Sequence, residues 1–277
     1  MVMSVNTNAA ALLALQSLTG TSRQLDETQS RIDTGLKVSH AADGPAAFSS
    51  AQDMRIDMTG LQSVMQSIDR ASGVVSTALS AGQSIFDLLN TMKEKVTAAC
   101  DPSIDDQSRA AIDNEFQSLR DQITSIIDSA TFGGANMLKS GGDPARAMVS
   151  SDGATMIEVP AEDLSLGGTN ITFDGTATLG TTADDAKNLL QQVNQSITNV
   201  NSALARIGTG ASSLDAHKTF ASTLSDTIET GIGNLVDADL AKESARLQSL
   251  QVKQQLSVQA LSIANSIPQS ILSLFQS

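Results

Sequence analysis

Residues 54–96 read MRIDMTGLQSVMQSIDRASGVVSTALSAGQSIFDLLNTMKEKV, and the spacing of their apolar residues decides the fold. Alternating steps of four and three pick out Met54, Met58, Leu61, Met65, Ile68, Ser72, Val75, Leu79, Gly82, Phe86, Leu89, Lys93 and Val96. Ten of the thirteen are large and apolar, and the register never slips. That is the heptad pattern of helices packed in the manner of a coiled coil. Extended over 47–99, one helix at about 1.5 Å per residue is about 80 Å long, a rod and not a globule.

The same period returns twice. After the Asp101-Pro102 turn, where Ser103 and Asp106 have capping-box spacing, a second run places Ile112, Phe116, Leu119, Ile123, Ile126 and Ala130 in line. A third run over about 184–236 places Ala186, Leu190, Val193, Ile197, Val200, Leu204, Ile207, Ala211 and Leu214. Three seams of one period predict a mainly α, coiled-coil-like bundle. Its expected rod core is Met58, Leu61, Met65, Ile68, Val75, Leu79, Phe86, Leu89, Phe116, Leu119, Ile123, Ile197, Val200, Leu204 and Ile207.

Residues 133–182 differ in kind. Nine of the nineteen glycines fall there, with Pro144 and Pro160. Short β-compatible runs at 147–150, 155–159 and 170–173 predict a small β-rich insertion, expected at one end of the rod.

Both chain ends lack charge: none precedes Arg23 and none follows Lys253, although the formal net charge is −13. The first run has Ala11, Leu18, Leu25 and Ile32 at steps of seven. The tail repeats every eleven residues: Leu250, Leu261, Leu272; Val252, Ile263, Leu274; Ala245, Leu256, Ile267. Eleven residues in three turns is close to the pitch of a straight helix. The tail's apolar positions cover more than half its circumference, so it needs neighbours on several sides. Gln254, Gln255, Gln259, Asn265, Pro268 and Gln269 make it a poor bilayer span. The ends are expected to pair as helices and to be buried by protein. Expected packing residues there are Leu12, Leu15, Leu18, Leu25, Ile32, Leu250, Leu256, Leu261, Ile263, Ile267, Leu272 and Leu274.

Composition excludes several classes of function. Seventeen Lys and Arg against thirty Asp and Glu leave no basic surface for nucleic acid. One cysteine, Cys100, permits no internal disulfide and no cysteine-cluster metal site. His40 and His217 stand in no metal-ligand spacing, and the GTGASS run at 208–213 lacks the Lys of a phosphate loop. No catalytic residue, cofactor or metal is expected.

The quoted ends and turns carry a resemblance. SVNTNAAALLALQSL near the start, RIDTGLKVSHAADGPAA at 31–47, FGGANML at 132–138, DADLAKES at 237–244 and ANSIPQSILSLF at 264–275 resemble motifs of bacterial flagellin. The middle segment is too short for large outer domains, and Ala42-Asp43-Gly44 replaces the family's usual Lys-Asp-Asp run. The resemblance implies a structural subunit that polymerises into the extracellular flagellar filament for swimming. It implies an inner domain of terminal helices, 1–44 with 241–277, and a rod domain, 45–240. It further implies homopolymer contacts, alone or with related flagellins, and dealings with the export apparatus, a flagellin chaperone, the filament cap and the hook–filament junction proteins. Export is expected without a cleaved signal peptide, and membrane insertion is not expected. The alternatives are a hook–filament junction protein or another secreted helical axial or adaptor protein.

Overall fold

The computed structural model describes residues 8–275, with side chains as far as Ser266. Five helices and one hairpin follow in order: α1 (Ala9–Thr34), α2 (Pro45–Ala99), α3 (Asp106–Ser129), β1 (Ala145–Met148), β2 (Met156–Val159), α4 (Ala183–Val236) and α5 (Leu240–Phe275). The architecture is mainly helical with a small β insertion. Two compact units divide it: one is Asp57–Asp226, the other the residues up to Ile56 with those from Thr227 onward.

Within Asp57–Asp226, burial along α2 recurs in two rows of period seven. One row is Leu61, Ile68, Val75, Gly82, Leu89 and Val96; the other is Val64, Ala71, Ala78, Ile85, Met92 and Ala99. In α4 the rows are Ala186, Val193, Val200, Ile207 and Leu214, then Leu189, Ser196 and Ala203. Of the expected rod core, Leu61, Ile68, Val75, Leu89, Phe116, Ile123, Val200 and Ile207 are buried. Met58, Met65, Leu79, Phe86, Leu119, Ile197 and Leu204 are half-buried, one position beyond the deeper row in α2 and α4. The physical reason is residue size. The deeper row interrupts its large residues (Val64, Ile85, Met92 and Leu189) with alanines and Ser196, which let other segments approach closely, whereas Met65, Leu79, Phe86, Ile197 and Leu204 flank it. A scan for large apolar residues selects the flank.

The insertion packs onto small residues of the helices, Ser196 among them, and it does not sit at one end. It lies along the helices. Ser67 Oγ of α2 accepts from Met148 N of β1 (3.0 Å), and Ser196 Oγ of α4 accepts from Thr172 N (3.0 Å). Asp113 of α3 accepts from Leu179 N (2.7 Å). A Cβ on Gly60 would come within 2.7 Å of Ser151, and one on Gly210 within 2.4 Å of Val159 in β2. The insertion's own apolar residues, Leu138, Leu164, Ile171, Phe173 and Leu179, are fully buried, and Phe173 meets Phe116 of α3 with ring centroids 5.9 Å apart. Each such side chain contributes roughly 1.5–3 kcal/mol on burial, so the loop-rich segment is part of the core. β1 and β2 pair antiparallel, Ala145 opposite Val159 and Met148 opposite Met156. The expected third run forms no strand; Ile171 makes a single bridge to Leu166.

Side chains finish the helix ends. The N-cap of α3 is Asp105, which accepts from Ser108 N (2.8 Å), and not Ser103. Ser103 is turned back onto Asp101, to which its N–H and hydroxyl both donate (2.8 and 2.7 Å). Buried Arg109 reaches the last turn of α2 and donates to the carbonyls of Ala99 and Asp101, a cation where the helix dipole favours one.

In the other unit, Gly35 leaves α1 at φ 72°, a left-handed conformation that costs glycine nothing. The chain then bridges to the segment before α5. Lys37 N and Val38 N both donate to Val236 O (2.6 and 3.2 Å), and Ala238 N donates to Gly35 O (2.9 Å). Beneath this clasp Val38, Ala51, Ile232 and Val236 form a buried apolar cluster. The adjacent Ser39-His40-Asp43 group is a turn: the Asp43 carboxylate accepts from His40 N (2.9 Å) and from the N–H and hydroxyl of Ser39 (both 3.1 Å). The backbone bond from His40, then the Ser39 hydroxyl, hold Asp43 below the usual carboxylate range. The hydrogen bonds of the turn account for the arrangement.

Candidate assembly surface

α1 and α5 pack against one another. Asn8 caps α1 by accepting from Ala11 N (3.1 Å), and its amide donates to Ala264 O in α5 (2.8 Å). Near the other end of α1, Arg31 pairs with Glu243 (3.3 Å) and with Glu27 (2.5 Å). One tie joins the start of α1 to the later part of α5, and the other joins the end of α1 to the first turn of α5. The pair is therefore antiparallel.

Its seam is a heptad on both helices. Ala11, Ala14, Leu18, Thr21, Leu25, Thr28 and Ile32 are half-buried or buried on α1; so are Glu243, Leu247, Leu250, Gln254, Ser257, Leu261 and Ala264 on α5. The side of α5 that meets α1 thus steps by four and three. The eleven-residue rows divide: Leu250 and Leu261 lie in the seam, whereas Val252, Ile263, Ala245 and Leu256 face outward.

The expected packing residues of the ends fall into two sets. Leu18, Leu25, Ile32, Leu250 and Leu261 stand in the seam. Leu12, Leu15, Leu256 and Ile263 are 58, 49, 58 and 64 % exposed. Ile267, Leu272 and Leu274 lie outside the described side chains. Leu13, Val252 and Val258 add to the exposed apolar surface. Such a concentration on two paired helices marks an interaction surface. The polar seam members (Thr21, Thr28, Gln254, Ser257 and Glu243) escape a search for apolar periodicity. Continuing the four-three steps through them would have found the seam.

Among the described residues no three His, Cys, Asp or Glu side chains gather where they could hold a metal ion. No helix among them is long and apolar enough to cross a membrane. Cys100 is a half-buried thiol donating to Val96 O, and burial pushes its pKa up.

Long heptad-seamed helices, a short insertion folded onto them and paired terminal helices with exposed apolar residues define a structural subunit that associates with its own kind. Residues 5–141 match the family described as bacterial flagellin N-terminal helical region, and residues 190–275 match the bacterial flagellin C-terminal helical region. The chain belongs to the bacterial flagellin family, as a short form without large outer domains. It is 45 % identical over 283 residues to flagellin FljJ of Caulobacter vibrioides, covering 100 % of this chain and 99 % of that protein. It is 43 % identical over 273 residues to flagellin FljM of the same organism, covering 99 % and 98 %. A solved structure of a flagellar hook-associated protein from Vibrio parahaemolyticus shares the fold, with TM-score 0.58 and 17 % identity, covering 70 % of this chain and all of that one. The protein is a filament subunit of the extracellular bacterial flagellum and serves motility.

Proposed function

We propose that residues 1–44 with 241–277 form the inner wall of the filament and that 45–240 form the layer around it. The exposed leucines and isoleucine of the α1–α5 pair carry this reading. Leu12, Leu15, Leu256 and Ile263 are large, apolar and at least about half exposed in the single chain, and neighbouring copies would bury them. Each contributes roughly 1.5–3 kcal/mol when removed from water. Absence of charge beyond Lys253 and before Arg23 keeps like charges from facing each other in a crowded wall.

The family reading extends to partners. The chain leaves the cell unfolded through the flagellar export apparatus, without a cleaved signal peptide, delivered by a flagellin chaperone. It is added beneath the filament cap on a base of hook–filament junction proteins. Seeding purified monomer with filament fragments tests the polymer reading. Long uniform filaments support it, whereas a chain that only decorates the ends of hook fragments is a junction protein.

A further inference from the structure

Two further heptad rows on the α1–α5 pair complement each other. On α1, Leu12, Leu15, Thr19, Ser22, Asp26, Gln29 and Asp33 follow steps of three and four. At about 100° per residue this row lies roughly a quarter turn from the seam. On α5, Lys242, Arg246, Ser249, Lys253, Leu256, Ala260 and Ile263 make a row of the same period and length, all of it exposed. The α1 row runs from apolar to acidic and the α5 row from basic to apolar. Among the described residues, Asp26, Asp33, Lys242, Arg246 and Lys253 form no ion pair within the chain.

The rows lie on opposite faces of the pair. The groove on the α5-row side is walled by Lys253, Leu256, Ser257 and Ala260 of α5 and by Ser17, Gly20, Thr21 and Gln24 of α1. Its α1 wall belongs to the side of that helix away from Leu12, Leu15 and Asp26. One face of the pair thus offers a groove edged with small residues and lined by the basic-to-apolar row; the reverse face offers the apolar-to-acidic ridge.

Resting on the filament reading above, we propose that the α1 ridge of one copy docks in the α1–α5 groove of the next. Because α1 and α5 are antiparallel within a chain, copies stacked in one orientation bring the ridge antiparallel to the neighbour's α5. Leu12 and Leu15 then meet Leu256, Ala260 and Ile263, while Asp26 and Asp33 meet Lys253, Arg246 and Lys242. Each helix carries one heptad seam for its own partner and a second for a neighbour. A contact between two different faces is heterologous, so its repetition builds a ring or an open helix and does not close a dimer.

Charge reversal in the full chain tests this with seeded filament growth. Asp26→Lys with Asp33→Lys, or Lys242→Glu with Arg246→Glu and Lys253→Glu, places like charges opposite each other and slows growth on matching seeds by about ten-fold or more. All five substitutions in one chain restore opposite charges, so that variant recovers growth on its own seeds and elongates wild-type seeds poorly. Either partial variant growing at the wild-type rate overturns the proposal. So does a five-fold variant no better than the partial ones. Wild-type chain that fails to grow on wild-type seeds counts against the filament reading itself, which separates the two failures.

Discussion

The side-chain amide of Asn8 donates to the carbonyl of Ala264, joining residues 256 positions apart (2.8 Å). The same side chain caps α1 through Ala11 N. One residue therefore starts the first helix and fastens it to the last.

Asn8→Ala removes both bonds. A lost N-cap costs about 1 kcal/mol, and the tie to Ala264 adds about as much. The critical concentration for assembly should rise by about five- to thirty-fold, as 1–2 kcal/mol converts. Asn8→Asp keeps the cap and loses the donor, so its effect should be smaller than that of Ala. Pelleting of filaments at graded subunit concentration measures both. Equal critical concentrations for wild type and Asn8→Ala would refute the dual role.

Asp105 makes α3 sensitive to acid. Its carboxylate accepts from the Ser108 side chain and backbone, and these bonds, the side-chain bond first, lower its pKa below the ordinary 3.8. A depressed folded-state pKa means the contribution is complete above the unfolded value and is lost as pH falls through the folded one. Asp105→Ala should lower the melting temperature at pH 7. The gap to wild type should narrow only below about pH 4. Asp105→Asn keeps an acceptor and should sit between the two at pH 7. Thermal melts followed by circular dichroism from pH 7 to pH 2.5 decide it, and a gap unchanged at the acid end would contradict the assignment.

Much of this fold was legible because helix periodicity is a local signal. α2, α3 and α4 appear where the apolar steps place them, and the uncharged ends pair as helices. What escaped reading depended on small or polar residues whose role comes from a distant partner. Ala71 and Ala78 look like filler until the deeper row is seen. Ser67 and Ser196 look like solvent-facing breaks until Met148 N and Thr172 N are found donating to them. The same holds for the assembly surface. Leu18 and Leu250 could be read as apolar, but neither their place in a seam nor the outward aim of Leu12 and Ile263 follows from hydropathy. That division needs the register of α1 on α5, which Asn8 and Glu243 fix.

Gly208 and Gly210, two residues apart in α4, separate propensity from packing. A Cβ at Gly208 meets nothing within 4 Å, whereas one at Gly210 comes within 2.4 Å of Val159 Cγ1. Gly208→Ala should therefore stabilise the chain by up to about 1 kcal/mol, the helix-propensity difference. Gly210→Ala gains the same propensity but forces β2 off the helix, and overpacking of that kind costs about 1–3 kcal/mol. The melting temperature should rise with the first substitution and fall with the second. Two rises would mean that the hairpin is not seated on α4.

Hydrogen exchange tests the coupling of the terminal helices to assembly. Of the seam positions on α1, only Thr21 and Thr28 are buried; Leu18, Leu25 and Ile32 remain partly open to water. On α5, Glu243, Leu250 and Ala264 are buried, of which only Leu250 is a large apolar side chain. Ordering each residue costs about 1–2 kcal/mol in backbone entropy, and a two-helix pair with so little deep apolar burial offsets little of it. In dilute monomer, amides of residues 8–35 and 245–266 should exchange close to the unprotected rate, while those at Ile85, Leu89 and Val200 stay protected. In filaments the terminal amides should become as slow as the rod's, because neighbours cover the outward leucines. Strong terminal protection in the monomer would show that the α1–α5 seam is self-sufficient and that folding of the ends is independent of polymerisation.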